Sequence, residues 1–207
     1  MINVMLVEDK KMSRDSITSY MNGSDRYNLV VATPNAGMAE MLCMRYKIDL
    51  ILMDVCTENN EDGIEAAASI KRGFPEIKII IVTGMTTTDL IDRAREAGAE
   101  SFWYKEAGSA ELIEVMDRTV NGENVYPDNT PLVQIGNMPS TEITPGELDV
   151  LRLAVKGMTD AAIAQQLHIS VSAVRYHITQ LFEKTGYTNR VTLIADLINK
   201  DFIVPGL

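Results

Sequence analysis

Short apolar runs and amphipathic stretches alternate through the first 120 or so residues. Ile2–Val7, Tyr27–Ala32, Leu50–Val55, Lys78–Thr83 and Ser101–Tyr104 read as strands. The segments that follow them, Ser13–Met21, Ala36–Tyr46, Ile64–Phe74, Thr88–Ala97 and Ala110–Val120, carry helical spacing. Pro75 follows the third of these, Gly98 the fourth, and Asn121-Gly122 closes the fifth. Leu50–Val55 is apolar except for Asp54, as expected of a strand buried on both faces. Five repeats of strand then helix predict a parallel sheet covered by helices on both sides.

From Gly122 to Thr141 the alternation stops. Pro127, Pro131 and Pro139 stand among Asn and Gly, the composition of a linker. Beyond it only helices read well. Thr144-Pro145 with Glu147 forms a capping box with proline at the first helical position, and that helix runs to about Lys156. Thr159 caps a short helix to Leu167, Ser170 or Ser172 caps a third reaching Thr185, and Val191–Lys200 is a fourth. The middle pair has the order short helix, tight turn, longer helix, which is the helix-turn-helix arrangement. In the longer helix Val174, Ile178, Leu181 and Thr185 form a core-facing stripe, while Arg175, Tyr176, Thr179 and Glu183 lie opposite. Such a face can enter a major groove. The expected organisation is an α/β domain over 1–122, a linker over 123–141 and an all-α domain over 142–207.

Net charge qualifies this picture. The chain carries −10 overall, which disfavours nucleic acid. Residues 141–207, however, hold six basic and seven acidic side chains, so the acidity belongs to the N-terminal part. No apolar run approaches the roughly 18 residues of a membrane span, and Met1–Val7 reads as a strand rather than a leader. Cys43 and Cys56 are too few for a disulfide framework. A cytoplasmic protein without a membrane partner is expected. Cys56 invites a redox-sensor idea through its nearness to Asp54; a small buried thiol is the commoner role.

The chemistry gathers at the strand ends, where ligands of open parallel sheets bind. Glu8 and Asp9 end the first strand, Asp54 the third, Thr83 the fourth and Lys105 the fifth. Three carboxylates together repel unless a cation sits among them, and Mg²⁺ suits hard oxygen ligands and bridges to phosphate. A carboxylate beside it can attack a phosphoryl group, with Lys105 and Thr83 available to its oxygens.

The segments "VEDKKMSRDSI", "IDLILMDV", "IIIVTG" and "AGAESFWYK" resemble the receiver domain of bacterial two-component response regulators. The resemblance implies a flavodoxin-like five-stranded parallel sheet of order 2-1-3-4-5. It also implies phosphorylation of Asp54 by a sensor histidine kinase. Mg²⁺ would be held by Asp9, Asp54 and the backbone carbonyl of Cys56, with Glu8 acting directly or through water. Thr83 matches the family's switch hydroxyl, Phe102 its switch aromatic and Lys105 its lysine. The loop "DVCTENNEDG" departs from the pattern: Met-Pro is missing and Asp62-Gly63 comes one residue late.

The segment from Ile143, "ITPGELDVLRLAVKGMTDAAIAQQLHISVSAVRYHITQLFEKTGYTNRVTLI", resembles the LuxR/NarL-type tetrahelical effector domain. That resemblance implies DNA recognition by the helix carrying Arg175, Tyr176, His177, Thr179 and Lys184, with Arg190 nearby. It further implies a homodimer through Val191, Ile194, Leu197 and Ile198. Gly146 stands where the family often has Arg, and Thr179 where Lys is common, so fewer phosphate contacts are expected. His177 reads equally well as a packing residue. The whole is expected to be a transcription regulator and not an enzyme. Two rivals are a receiver that acts without phosphorylation and, more remotely, a phosphatase with Asp54 as nucleophile. The second rival wants an Asp where Cys56 stands, and no GxGxxG follows the first strand to suggest dinucleotide chemistry.

Overall fold

Val4–Val7, Leu50–Met53 and Ile79–Val82 are almost wholly buried, so the strands that carry them have both faces covered. The computed structural model describes residues 1–87 and 89–203. These form one unit of Met1–Gly84 with Asp89–Asn129 and a second of residues 130–203, with which residues 85–87 group.

The first unit holds strands β1 (Ile2–Val7), β2 (Tyr27–Thr33), β3 (Leu50–Asp54), β4 (Lys78–Thr83) and β5 (Ser101–Tyr104). All pair in parallel in the order β2-β1-β3-β4-β5, the order expected. Helices α1 (Lys11–Asn22) and α5 (Ser109–Val120) cover one face. There Ile17, Met21, Leu112, Val115 and Met116 pack on Val4, Leu6, Leu50, Leu52, Ile80, Val82 and Trp103. Helix α3 (Gly63–Gly73) lies against β3 and β4, flanked by α2 (Ala39–Arg45) and α4 (Leu90–Glu96). The expected second helix opens with a 3-10 turn, Ala36–Met38. In the expected helix Thr88–Ala97, Thr88 lies outside the described residues.

The expected linker 123–141 is corrected by the structure, because its apolar residues find cores on either side. The Phe102 N–H donates to the Val125 carbonyl (2.9 Å) and the Val125 N–H to Ser101 Oγ (3.0 Å), so the chain through Tyr126 belongs to the sheet unit. The Tyr126 hydroxyl donates to the Ala99 carbonyl (2.6 Å). Further on, Gln134–Ile135 pairs antiparallel with Met138–Pro139, and Ile135 and Met138 are buried with Leu148, Leu151 and Leu181. Gly136 makes that turn at φ 55°, where a Cβ would overlap the Thr185 carbonyl. The helical unit thus starts near Thr130, and of its expected span 204–207 lie outside the described residues.

Its helices are α6 (Pro145–Val155), α7 (Asp160–Leu167), α8 (Val171–Thr185) and α9 (Arg190–Asn199). The capping box forms: the Glu147 N–H donates to Thr144 Oγ1, and the Thr144 N–H to Glu147 Oε2. Ser170, rather than Ser172, caps α8 by accepting from the Ala173 N–H (3.1 Å). No described helix is long and apolar enough to cross a membrane.

Candidate acidic pocket and nucleic-acid interface

Strands β1 and β3 are neighbours, with Val7 opposite Met53, so the residues that follow Val7 meet Asp54 at the sheet edge. Ligand oxygens of Glu8, Asp9 and Asp54 lie within 4.8 Å of one another. Glu8 and Asp54 are buried. Lys105, just past β5, reaches across to Glu8 Oε2 (2.7 Å) and Asp54 Oδ2 (2.9 Å). One ammonium thus faces three carboxylates. Burial pushes the Asp54 carboxyl above the usual carboxylate range; Lys105 opposes the rise, and Glu8 and Asp9 add to it. Burial works against the Lys105 charge, but Asp54 and Glu8 outweigh it and hold that ammonium above its ordinary value.

Arg14 of α1, a residue with no role read from the sequence, donates to the carbonyls of Glu8 (2.7 Å) and Asp9 (3.3 Å). The Lys10 N–H donates to Glu8 Oε1 (3.0 Å). These bonds hold the β1–α1 turn, yet Asp9 Oδ1 is buried without a hydrogen-bond partner. An orphaned oxygen in a pocket with excess negative charge is what a hard divalent cation satisfies. The donor set fits Mg²⁺.

The lengthened loop after Asp54 is absorbed by a small hairpin. Cys56–Thr57 pairs antiparallel with Glu61–Asp62, and Asn59 and Asn60 turn at positive φ (63° and 58°), a conformation asparagine tolerates. Thr57 Oγ1 is buried, accepting from the Ala36 N–H (3.0 Å) and donating to the Glu61 carbonyl (2.9 Å). Gly63 closes the hairpin: its N–H donates to the Val55 carbonyl (2.9 Å), and a Cβ there would overlap the Asp54 carbonyl. Burial, with Asp54 and Asp9 behind it, pushes the Cys56 thiol up to about 11. Burial does the same to Cys43, also to about 11. Neither shift favours the thiolate that redox chemistry uses. Thr83 and Phe102 are buried on the adjacent strands β4 and β5, with Thr83 opposite Tyr104 and the Phe102 ring edge-on to Tyr104 at 4.9 Å.

In the helical unit, Val174, Leu181 and Thr185 are buried and Arg175, Tyr176 and Thr179 are exposed on α8. The Arg175 side chain, 73% exposed, makes only a loose 3.4 Å contact with Asp160. His177 is half-buried against α6, with its Cε1 3.3 Å from where a Cβ on Gly146 would stand, so it packs the two helices together.

Two residues expected to contact phosphate have partners within their own unit. Lys184 is turned inward onto both Glu147 oxygens (2.8 Å each) and the Glu142 carbonyl (3.1 Å). Burial opposes the Glu147 charge, but Lys184 and Thr144 outweigh it and hold that carboxyl below its ordinary range. Arg190 pairs with Asp160 (3.0 Å) and donates to the Met158 carbonyl (2.8 Å). The expected dimer face is partly taken up by the unit's own core. Leu197 is fully buried in its own unit beside Leu193, and Ile194 and Ile198 are half-buried against the same core. Val191 alone of the four stands clear, at 76% exposure.

A five-stranded parallel sheet with an acidic pocket at its carboxyl edge, followed by a tetrahelical helix-turn-helix unit, defines a receiver joined to a DNA-binding domain. Residues 4–117 match the response regulator receiver domain family, and residues 141–196 match the bacterial regulatory proteins of the luxR family. The chain belongs to the LuxR-type response regulators, DNA-binding transcription regulators rather than enzymes, which sets the phosphatase rival aside. It is similar to the response regulator protein VraR of Staphylococcus aureus (strain Mu3), 28% identical over 199 residues that span 93% of this chain and 94% of that protein. VraR of Staphylococcus epidermidis (strain ATCC 12228) is 27% identical over the same shares. Among solved structures, RcsB from Salmonella enterica serovar Typhimurium bound to promoter rprA with the phosphomimetic BeF3⁻ shares the fold, at TM-score 0.61 and 21% identity over 95% of this chain and 98% of that one. A structure of two RcsB dimers on two parallel DNAs gives 0.62 and 20% over the same shares.

Proposed function

We propose that Asp54 accepts a phosphoryl group from a sensor histidine kinase in the cytoplasm, and that the phosphorylated chain binds DNA as a homodimer. The observation that carries this reading is the convergence of three carboxylates and Lys105 around a buried, unpartnered Asp9 oxygen. Asp9, Asp54 and the Cys56 carbonyl would hold Mg²⁺, with Glu8 acting directly or through water. Mg²⁺ held there would neutralise charge on the phosphoryl oxygens.

An Asp54 oxygen attacks phosphorus, the bond from phosphorus to the donor histidine nitrogen breaks, and an acyl phosphate forms on Asp54. Lys105 exchanges the Asp54 carboxylate for a phosphoryl oxygen, a charge-assisted bond that holds the new group. Thr83 donates its hydroxyl to another phosphoryl oxygen, and the room it leaves is taken by the Phe102 ring. On DNA, Arg175, Tyr176 and Thr179 read base edges or anchor phosphate from the exposed face of α8. RcsB, described on DNA as dimers, supports the homodimer, which would take a near-palindromic site; of the expected α9 residues, Val191 remains most exposed.

Intact-mass analysis tests the chemistry. With a small-molecule phosphodonor and Mg²⁺, one phosphoryl group should add, and none should add in Asp54→Ala or with metal chelated. An unmodified wild-type mass under saturating donor would refute the reading and favour a receiver that acts without phosphorylation.

A further inference from the structure

Asp62, the residue displaced by the longer loop, is engaged three ways. Its carboxylate caps α3, accepting from the N–H groups of Ile64 (2.8 Å) and Glu65 (3.3 Å). Its backbone pairs with Cys56 across the hairpin. Its second oxygen is ion-paired with Arg93 on α4. The Asp62 side chain is 12% exposed and Arg93 31%, so the pair is shielded from solvent and salt far more than a surface pair. The hairpin is therefore fixed on one flank by Thr57, bonded toward Ala36, and on the other by a helix it does not belong to. It leads directly out of Asp54 and contains Cys56.

We propose that Arg93 and Asp62 are positioning residues for the acidic pocket. Their ion pair holds the hairpin that carries the Cys56 carbonyl, and so ties binding in the pocket to the placement of α4. The proposal rests on the pocket being the Mg²⁺ site described above. The tie is reciprocal: whatever favours the held position of α4 also favours the cation, and the cation favours that position.

The sign of one substitution separates positioning from plain electrostatics. Removing Arg93 leaves the region more negative, which by charge alone draws Mg²⁺ more tightly. Loss of positioning has the opposite sign. Isothermal titration calorimetry of Mg²⁺ into the full chain should show Arg93→Met binding about tenfold more weakly than wild type, the low end for losing a group that orients a metal ligand. Arg93→Met keeps an apolar stem in place, and melting in EDTA checks that it folds. Arg93→Lys should restore most of the affinity, and adding Asp62→Asn to Arg93→Met should cost little more. Unchanged or tighter Mg²⁺ binding in folded Arg93→Met overturns the proposal. Absence of Mg²⁺ binding in the wild type would overturn the pocket reading itself, an outcome recognised because it needs no variant.

Discussion

Lys184→Met tests whether this lysine serves the fold or the DNA. The Glu147 side chain is 4% exposed and that of Lys184 28%, and both carboxylate oxygens lie 2.8 Å from the ammonium. Removing one partner of a fully buried pair costs about 3–5 kcal/mol. Here water reaches the vacated side, and Glu147 keeps the Thr144 N–H at 2.9 Å, so about 2–3 kcal/mol is expected. For a unit of this size each kcal/mol moves the midpoint by about 4–8 °C, so the helical unit should melt roughly 8–24 °C lower. The pH dependence follows from Glu147 being held below its ordinary range. Its contribution is fully present above the unfolded glutamate value of about 4.3 and is lost as pH falls through the lower folded value. The gap between wild type and variant should therefore close in acid. In DNA titrations at several salt concentrations the slope of log affinity against log salt should not change. A direct phosphate contact would have supplied about 0.9 of that slope per subunit. An unchanged melt together with a slope shallower by that amount would refute the inward assignment of Lys184.

Asp54→Asn should be more stable than wild type at neutral pH in EDTA, by at least about 1 kcal/mol in urea melts. The raised folded value means wild type loses stability as pH rises from the unfolded aspartate value, about 3.9, through the folded one, a loss the amide lacks; the curves should converge in acid. Gly63→Ala should cost about 1–3 kcal/mol and slow phosphorylation, because the new methyl group must displace the Asp54 carbonyl; wild-type stability and rate would contradict this. Arg175→Ala should leave the melt within about 0.5 kcal/mol, since the side chain is mostly in solvent, while lowering affinity or relaxing preference at one base position by about 1–3 kcal/mol. Binding to a panel of single-base site variants checks it, and an identical panel for variant and wild type would be the contrary result.

Much of this was legible because the strands are buried on both faces and so print as unbroken apolar runs, with the chemistry confined to their ends. Once Ile2–Val7 and Leu50–Asp54 are parallel neighbours, Glu8, Asp9 and Asp54 have nowhere else to meet. Capping was equally local: Thr144 with Glu147, and Thr159 and Ser170, declare helix starts within four residues. What stayed hidden depends on partners far along the chain. Lys184 and Glu147 lie 37 residues apart and Arg190 and Asp160 30, so neither pairing shows in the sequence. Arg14 looked like any solvated helix residue, because its acceptors are carbonyls that carry no side-chain signal. Prolines suggested a linker, yet Val125, Ile135 and Met138 are apolar enough to be drawn into cores, and a two-residue ribbon is too short to show a period. The apolar pattern of α9 is real, but periodicity alone does not say whether a stripe meets its own core or a second copy; Leu193 and Leu197 meet their own.

The most direct measurement is the DNA affinity of the full chain before and after phosphorylation, by fluorescence anisotropy on a fragment selected from genomic DNA at fixed salt, with Asp54→Asn as the control. With Mg²⁺ and phosphodonor the wild-type isotherm should shift at least about tenfold to lower concentration, a coupling of about 1.4 kcal/mol between pocket and recognition helix, while Asp54→Asn stays where it was. Superimposable wild-type isotherms, with the added phosphate verified by mass on the same sample, or an equal shift in Asp54→Asn, would contradict control of DNA binding through Asp54.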